Sequence, residues 1–129
     1  MGPITLKPTD AELAILSVLW EQGPSTVRQI QQVLDRARPT GYTTVLKLLQ
    51  IMTEKGLVRR DETERRHVYR ARYSEEQTQQ QLVGDLVDRA FAGSTTRLVM
   101  QALSSRKTSA DELAAIRRLL DEWEKGGGA

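Results

Sequence analysis

The clearest pattern of hydrophobic and polar positions lies between Pro39 and Arg72, where a helical period is followed by an alternating one. Apolar side chains recur there at spacings of three and four residues, at Val45, Leu48, Leu49 and Met52. This spacing predicts a helix that buries one face. Gly56 suits the left-handed conformation that ends many helices. The opposite face consists of small and polar side chains: Thr43, Lys47, Gln50 and Glu54, with Thr44 beside them.

The segment that follows Gly56, LVRRDETERRHVYRAR, alternates as two paired strands would. Its turn is predicted at Glu62, Thr63 and Glu64, where the alternation stops. A helix followed directly by a basic hairpin is the arrangement of a winged helix-turn-helix. The predicted fold class is therefore mainly α with a small β-hairpin: a winged helix-turn-helix followed by a further helical region.

The first helix is predicted to begin at Thr9. Thr9 and Glu12 have the spacing of a capping box, in which each side chain accepts a hydrogen bond from the backbone N–H of the other residue. Gly23-Pro24 then ends the helix. Its buried face is predicted to consist of Leu13, Leu16 and Trp20.

A second helix is predicted from Ser25 or Thr26 to about Asp35, and Pro39 prevents it from continuing into the third. Three short helices and the hairpin then form one domain, residues 6–73. The inward side chains of the second helix are predicted to be Val27, Ile30, Val33 and Leu34.

Residues 74–125 have the pattern of three amphipathic helices, and residues 126–129 are predicted to be a flexible tail. Capping boxes are predicted at Ser74 and Ser109, and Gly93 separates the first helix from a short middle one. So few residues cannot bury enough apolar surface to be stable alone. We therefore expect a homodimerisation region, and packing onto residues 6–73 is the alternative. The predicted interface side chains are Leu82, Leu86, Phe91, Leu98, Leu113, Ile116, Leu120 and Trp123.

Composition excludes several classes of function. The chain has no cysteine, which rules out disulfides, cysteine-ligated zinc or copper and thiol redox sensing, and which fits a cytoplasmic protein. No apolar run is long enough to span a membrane and no leader pattern is present, so neither a span nor secretion is expected. The single histidine, His67, is interpreted as a solvent-facing or phosphate-contacting residue. Without catalytic motifs, no enzyme activity, cofactor or metal site is expected.

Positive charge is concentrated in the third helix and the hairpin. Residues 36–72 contain 10 Lys or Arg against 4 Asp or Glu, whereas residues 74–129 contain 7 against 9. A basic patch of this kind is typical of contact with phosphates, although a solvated hairpin explains the same count. The acidic residues Asp61, Glu62 and Glu64 are interpreted as turn formers that balance charge.

Over about residues 6–121 the chain resembles the BlaI/MecI penicillinase-repressor family. The specific parts are the run Tyr-Thr-Thr-Val-x-x-x-Leu and the Lys-Gly-Leu-Val that follows it. The match in the C-terminal helical region does most to distinguish this family from other winged-helix proteins, because generic winged helices share only the pattern of the first half. The resemblance rests on the segments TDAELAILSVLWEQGPSTVRQIQQVL, GYTTVLKLLQIMTEKGLVRR, HVYRARYSEE and LVDRAFAGSTTRLVMQALSSRKTSADELAAIRRLL.

The resemblance implies a homodimeric repressor that occupies a dyad-symmetric operator in double-stranded DNA and blocks transcription. The third helix would lie in the major groove, with Thr43, Thr44 and Lys47 at base edges or the nearby backbone. A phosphate would meet the N-terminus of the second helix, with Ser25 and Arg28. The remaining expected contacts are Arg65 and Arg66, along the backbone or in the minor groove, and Tyr42, which either bonds a phosphate or packs.

The chain departs from the family in two places. The resemblance also implies a membrane sensor-protease as a partner, which commonly cuts the members it controls at an Asn-Phe bond. Gln101-Ala102 replaces that bond here, so the expectation of this partner and of cleavage loses its support. Copper-responsive members have a C-terminal cysteine cluster that this chain lacks, so release by copper is not expected.

Two other functions stay open. One is contact with an acidic protein, which the Thr-rich face disfavours because protein interfaces favour aromatic side chains. The other is binding of nucleic acid without sequence preference.

Overall fold

The computed structural model describes residues 7–63 and 65–127 of the chain. Residue 6 of the first predicted domain, Glu64 at the predicted turn and the last two residues of the predicted tail lie outside this description. The chain divides into two compact units, residues 1–84 and 85–129. The elements in chain order are α1 (Asp10–Gln22), β1 (Ser25–Thr26), α2 (Val27–Ala37), α3 (Tyr42–Lys55), β2 (Val58–Asp61), β3 (Val68–Ala71), α4 (Glu75–Ala90), α5 (Thr95–Ser105) and α6 (Ala110–Lys125).

Helix starts follow the predicted caps. The side chains of Thr9 and Glu12 each accept a hydrogen bond from the other residue's backbone N–H, at 3.2 and 2.8 Å. Ser74 and Gln77 make the same reciprocal pair ahead of α4. At Ser109 only half of the predicted box forms, in which the Glu112 N–H donates to the Ser109 hydroxyl at 3.1 Å. Local sequence therefore defines where these helices begin.

The sheet has three strands rather than the two of the predicted hairpin. β2 and β3 form the antiparallel hairpin, and β1 pairs with the other edge of β3, so the strand order is β1-β3-β2. Ser25 lies opposite Tyr69 and Thr26 opposite Val68. Two residues are too few to show an alternating pattern, and the sequence therefore did not predict β1.

The core of the first unit is mainly aliphatic, and the residues that α1 contributes to it differ from the predicted ones. Ile15 and Leu19 are fully buried beside Leu16, whereas Leu13 and Trp20 are only partly buried. Trp20 lies at the edge because its indole N–H donates to the Tyr73 carbonyl at 3.0 Å. The fully buried cluster is Ile15, Leu16, Val18, Leu19, Val27, Ile30, Val45, Leu49, Met52, Leu57, Val58 and Tyr69.

α1 and α3 are joined by an ion pair that the sequence did not predict. Glu12 is 1% exposed, and the Lys55 ammonium donates to its two carboxylate oxygens at 2.9 and 3.0 Å. Burial by itself raises the pKa of Glu12. The hydrogen bond from the Thr9 backbone N–H and the Lys55 ammonium lower this pKa, and together they outweigh the effect of burial. The pKa of Glu12 therefore lies below its ordinary value, and the carboxylate is charged at neutral pH.

In the second unit the apolar side chains are largely exposed. α5 and α6 contain no fully buried side chain, and of the described side chains after Gly84 only Val87 is fully buried. Among residues 7–63 and 65–127 no helix has the length and apolar character needed to cross a bilayer. The most exposed large apolar side chains after Gly84 are Leu86, Met100, Leu120 and Trp123.

We expect Glu12→Gln to lower the free energy of unfolding by about 1–3 kcal/mol at pH 7, because it leaves Lys55 without its carboxylate partner. The lowered pKa gives this loss a pH dependence. The stabilisation by Glu12 is fully present above the ordinary carboxyl pKa of about 4.3 and is lost as the pH falls through the lower folded value. Urea unfolding of both proteins between pH 3 and pH 7 measures the difference.

The control for this prediction is Glu21→Gln, which removes an exposed carboxylate from the same helix. We expect it to change the free energy of unfolding by less than about 0.5 kcal/mol. A Glu12→Gln difference that stayed constant from pH 7 to pH 3 would contradict the assignment of a lowered pKa.

Candidate nucleic-acid interface

The rotation of α3 is set by three fully buried side chains, Val45, Leu49 and Met52. Because they occupy one face, the opposite face lies in solvent. Thr43, Thr44 and Lys47 are all exposed, as the sequence predicted, and their contact with nucleic acid stays a prediction. Gln50 and Glu54 extend this exposed face towards the end of the helix.

The turn between α2 and α3 is held by hydrogen bonds to Thr40. Gln31 donates from its side-chain amide to the Thr40 carbonyl at 2.9 Å, and the Thr40 N–H donates to the Asp35 carboxylate at 2.9 Å. The Thr40 hydroxyl donates to the Arg38 carbonyl at 2.8 Å. These three hydrogen bonds restrain the connection and favour one angle between α2 and α3.

A groove beside the N-terminus of α3 brings together four of the predicted site residues. It has a volume of about 430 Å³ and opens to solvent. The wing is the β2–β3 hairpin with its connection, residues 58–71. Arg28 from α2, Tyr42 from α3 and the wing residues Arg65 and Arg66 all line the groove, and none of the described lining residues is acidic. Residues from α2, α3 and the wing thus form one basic concave surface. The complete set of lining residues is Thr26, Val27, Arg28, Tyr42, Leu46, Arg65, Arg66, His67 and Tyr69.

Arg28 and Tyr42, which both line the groove, contact each other. The guanidinium carbon of Arg28 lies 5.6 Å from the centroid of the Tyr42 ring, which is the geometry of a cation–π contact. Tyr42 nevertheless remains 44% exposed. The ring thus contacts Arg28 and is still open to solvent, and the choice between packing and contact with a phosphate stays a prediction.

Ser25 is not available as predicted. Its side chain is 3% exposed, and its hydroxyl donates to the Gly23 carbonyl at 2.8 Å. The residue is enclosed because it belongs to β1 and lies opposite the buried Tyr69. The prediction that the Ser25 side chain contacts a phosphate is therefore wrong for this conformation, whereas Arg28, on the exposed side of α2, is free of this burial.

Besides Arg65 and Arg66, the two predicted contacts, the hairpin carries other arginines, and some of these are paired with carboxylates. Arg70 on β3 lies 3.7 Å from the Asp61 carboxylate, and Arg60 on β2 donates to Glu62. The backbone N–H and hydroxyl of Thr63 both donate to Asp61, and these bonds lower the pKa of Asp61 below its ordinary value. Close spacing in sequence (Arg60 and Glu62, Asp61 and Thr63) was the signal that could have identified these pairs.

His67 lines the groove together with Arg65 and Arg66, so it belongs to the candidate interface. Within the described part of the chain, no cluster of three or more His, Cys, Asp or Glu side chains has the arrangement to hold a metal ion. The groove itself presents arginine, hydroxyl and aromatic side chains, which suit contact with phosphates.

The chain has clear relatives. The family model described as penicillinase repressor matches residues 8–122. Two proteins named transcriptional regulator BlaI, from Mycobacterium tuberculosis strains CDC 1551 / Oshkosh and ATCC 25618 / H37Rv, are each 35% identical over 123 residues. The aligned region covers 92% of this chain and 86% of each relative.

Among solved structures, AbfR of Staphylococcus epidermidis is 20% identical, with a TM-score of 0.46. A second structure, reduced AbfR bound to DNA, is also 20% identical, with a TM-score of 0.45. Both alignments cover 92% of this chain and 72% of the AbfR chain.

We expect Gly56→Ala to destabilise the junction between α3 and the wing by about 1–2 kcal/mol. Gly56 has a φ of +81°, and a Cβ there would lie 3.1 Å from the Arg72 guanidinium nitrogen Nη1. Gly84→Ala in α4 is the matched control, because its Cβ would meet nothing within 4 Å. The control should be neutral or stabilising by up to about 1 kcal/mol in urea unfolding. Equal effects of the two substitutions would contradict a conformational role for Gly56.

Proposed function

The chain belongs to the penicillinase repressor family, and from this premise we propose that it is a transcriptional repressor that binds double-stranded DNA with sequence specificity. The observation that carries the proposal is the exposed polar face of α3 next to a groove lined by Arg28, Arg65 and Arg66. Base edges are read by a helix that enters the major groove, while cations beside it neutralise phosphates. This surface offers both kinds of contact.

In this proposal α3 enters the major groove with Thr43, Thr44 and Lys47 towards the bases. The Lys47 ammonium would donate to guanine O6 or N7. Each threonine would offer its methyl group to a thymine, or its hydroxyl to a base or phosphate. Val45 and Leu49 support this geometry because their burial prevents α3 from rotating about its axis.

The groove at the start of α3 would receive the DNA backbone. Arg28 stacks on Tyr42, so its guanidinium is oriented before DNA arrives and loses less freedom on binding. Arg65 and Arg66 reach the same groove from the wing and would follow the backbone or enter the minor groove. His67 lines the same groove, and its ring N–H would donate a hydrogen bond to a phosphate oxygen.

We also propose that the repressor acts as a homodimer through α4, α5 and α6. Exposed apolar side chains such as Leu86, Leu120 and Trp123 support this, since a free chain would leave them in water. Two copies would place two recognition helices on a dyad-symmetric operator, with half-sites about 34–36 Å or a multiple of that distance apart. The other predicted interface residues are Leu82, Phe91, Leu98, Leu113 and Ile116.

Release from DNA would not use the cleavage bond of the sensor-protease-controlled relatives. The position has Gln101-Ala102 in place of Asn-Phe, and both residues lie within α5. Release from DNA by copper would require a cysteine cluster, and the chain has no cysteine. Induction by another signal is therefore part of the proposal.

The direct test is fluorescence anisotropy with duplex from upstream of the gene and a scrambled duplex of equal composition, at two salt concentrations. The proposal predicts tighter binding to the upstream duplex and a steep loss of affinity as salt rises. If both duplexes bind equally, the next experiment is a selection of bound duplexes from random sequence. A selection that enriches no sequence would indicate binding without sequence preference. No binding to any duplex would favour the alternative of contact with an acidic protein.

We expect Lys47→Ala to weaken binding to the cognate duplex by about 1–3 kcal/mol, because one base contact is lost. Lys107→Ala, which removes the same charge from the connection between α5 and α6, is the control and should change affinity little. Anisotropy titration measures both. Unchanged affinity in Lys47→Ala would show that α3 does not face the bases as proposed.

We expect Leu120→Asp to dissociate the dimer in sedimentation velocity, because it places a charge in the apolar interface. Ala115→Asp introduces the same charge on another side of α6 and should leave the dimer intact. Residues 7–73 should stay folded in both variants, which circular dichroism can check. A dimer that persists in Leu120→Asp would move the interface away from this face of α6.

A further inference from the structure

The two described carboxylates at the wing turn have different partners. The Asp61 carboxylate accepts hydrogen bonds from the Thr63 N–H at 2.9 Å and from the Thr63 hydroxyl at 2.8 Å. Asp61 is therefore a turn former in the usual sense. Glu62 differs, because the partner of its carboxylate is the side chain of Arg60 on β2.

Glu62 occupies the edge of the Arg60 guanidinium that would bind a phosphate. Its oxygen Oε2 accepts hydrogen bonds from Nε at 2.9 Å and from Nη2 at 2.6 Å. These two donors lie side by side, which is the fork that arginine presents to a carboxylate or to a phosphate group. A phosphate and the Glu62 carboxylate would therefore compete for one place.

Arg60 lies next to the proposed DNA surface. It is opposite Tyr69 in the ladder of β2 and β3, and opposed side chains share a face of the sheet. Tyr69 itself lines the groove that holds Arg28, Arg65 and Arg66. Arg60 is thus paired in the ladder with a residue that lines the basic groove, and its phosphate-binding edge is filled by a carboxylate from the same chain.

The Arg60–Glu62 pair is exposed and can exchange partners. The side chains of Arg60 and Glu62 are 38% and 57% exposed. Ion pairs at the surface are held weakly, since water and salt screen them. A DNA phosphate that reaches Arg60 can therefore replace Glu62 without disturbing the fold.

We propose that Glu62 limits the affinity of the repressor for DNA by occupying Arg60 in place of a phosphate until the duplex displaces it. The proposal rests on the proposed DNA-binding function. Its effect falls on the contacts with the backbone, which carry no sequence information, so it reduces binding to DNA in general. A repressor with this restraint would spend less time on unrelated DNA.

The test is anisotropy of the full chain with a scrambled duplex between 50 and 200 mM salt, comparing the wild type with Glu62→Gln. We expect the variant to bind more tightly and the salt dependence of log affinity to steepen by about 0.9, as for one added phosphate contact. The advantage of the variant should then shrink about 3.5-fold across this four-fold rise in salt. Circular dichroism checks that the fold is retained.

Two controls separate this mechanism from a general effect of charge. Asp85→Asn makes the same change in net charge and also breaks an arginine–carboxylate pair, Asp85 with Arg89 at 2.9 Å in the other unit. It should not reproduce the steeper salt dependence. The double variant Arg60→Gln/Glu62→Gln should lose the gain, because the gain requires the Arg60 guanidinium.

The outcomes are distinct. Equal shifts for Glu62→Gln and Asp85→Asn, no shift for Glu62→Gln, or a gain that survives in the double variant would each overturn the inference while leaving the DNA-binding function intact. Wild-type protein that binds no duplex at 50 mM salt would overturn the proposed function itself, and the inference with it.

Discussion

The packing of α3 against α1 and α2 is the constraint on which the proposed DNA surface depends. Val45, Leu49 and Met52 are completely buried, and the Glu12–Lys55 pair ties the last turn of α3 to the start of α1. Rotation of α3 by one residue would move polar side chains into the core, and burying an unpaired ammonium or hydroxyl is strongly unfavourable. The apolar face of α3 must stay in the core, and the face that carries Thr43 and Lys47 therefore lies in solvent.

Electrostatics of the first unit follow from this arrangement. α2, α3 and the wing each bring arginine or aromatic side chains to the groove, so the positive potential is concentrated where a duplex backbone would run. Two further arginines of the β2–β3 hairpin are paired with carboxylates of the same chain, Arg60 with Glu62 and Arg70 with Asp61. The affinity of such a surface depends on how many of its cations are free to meet phosphates, rather than on how many it contains.

Features that depend on local sequence were predictable, and features that depend on distant pairs were not. The Thr9 and Ser74 caps, the end of α3 at Gly56 and the exposed face of α3 follow from residues within a turn or two of each other. The strand β1, the burial of Ser25 and the contact of Arg28 with Tyr42 require the folded chain. The predicted buried face of α1 was partly wrong because Leu13 and Trp20 also have helical spacing. Only packing distinguishes them from the buried Ile15 and Leu19.

The proposed function requires α3 to contact bases in the major groove of a dyad-symmetric site. Methylation protection of guanine N7 measures this contact, because this atom is exposed only in the major groove. On a bound duplex obtained by selection, we expect two protected clusters about 10–10.5 base pairs, or a multiple of that, apart. In Lys47→Ala, protection should be lost at one guanine of each cluster. Tight binding without any N7 protection, or with protection that Lys47→Ala leaves unchanged, would contradict it.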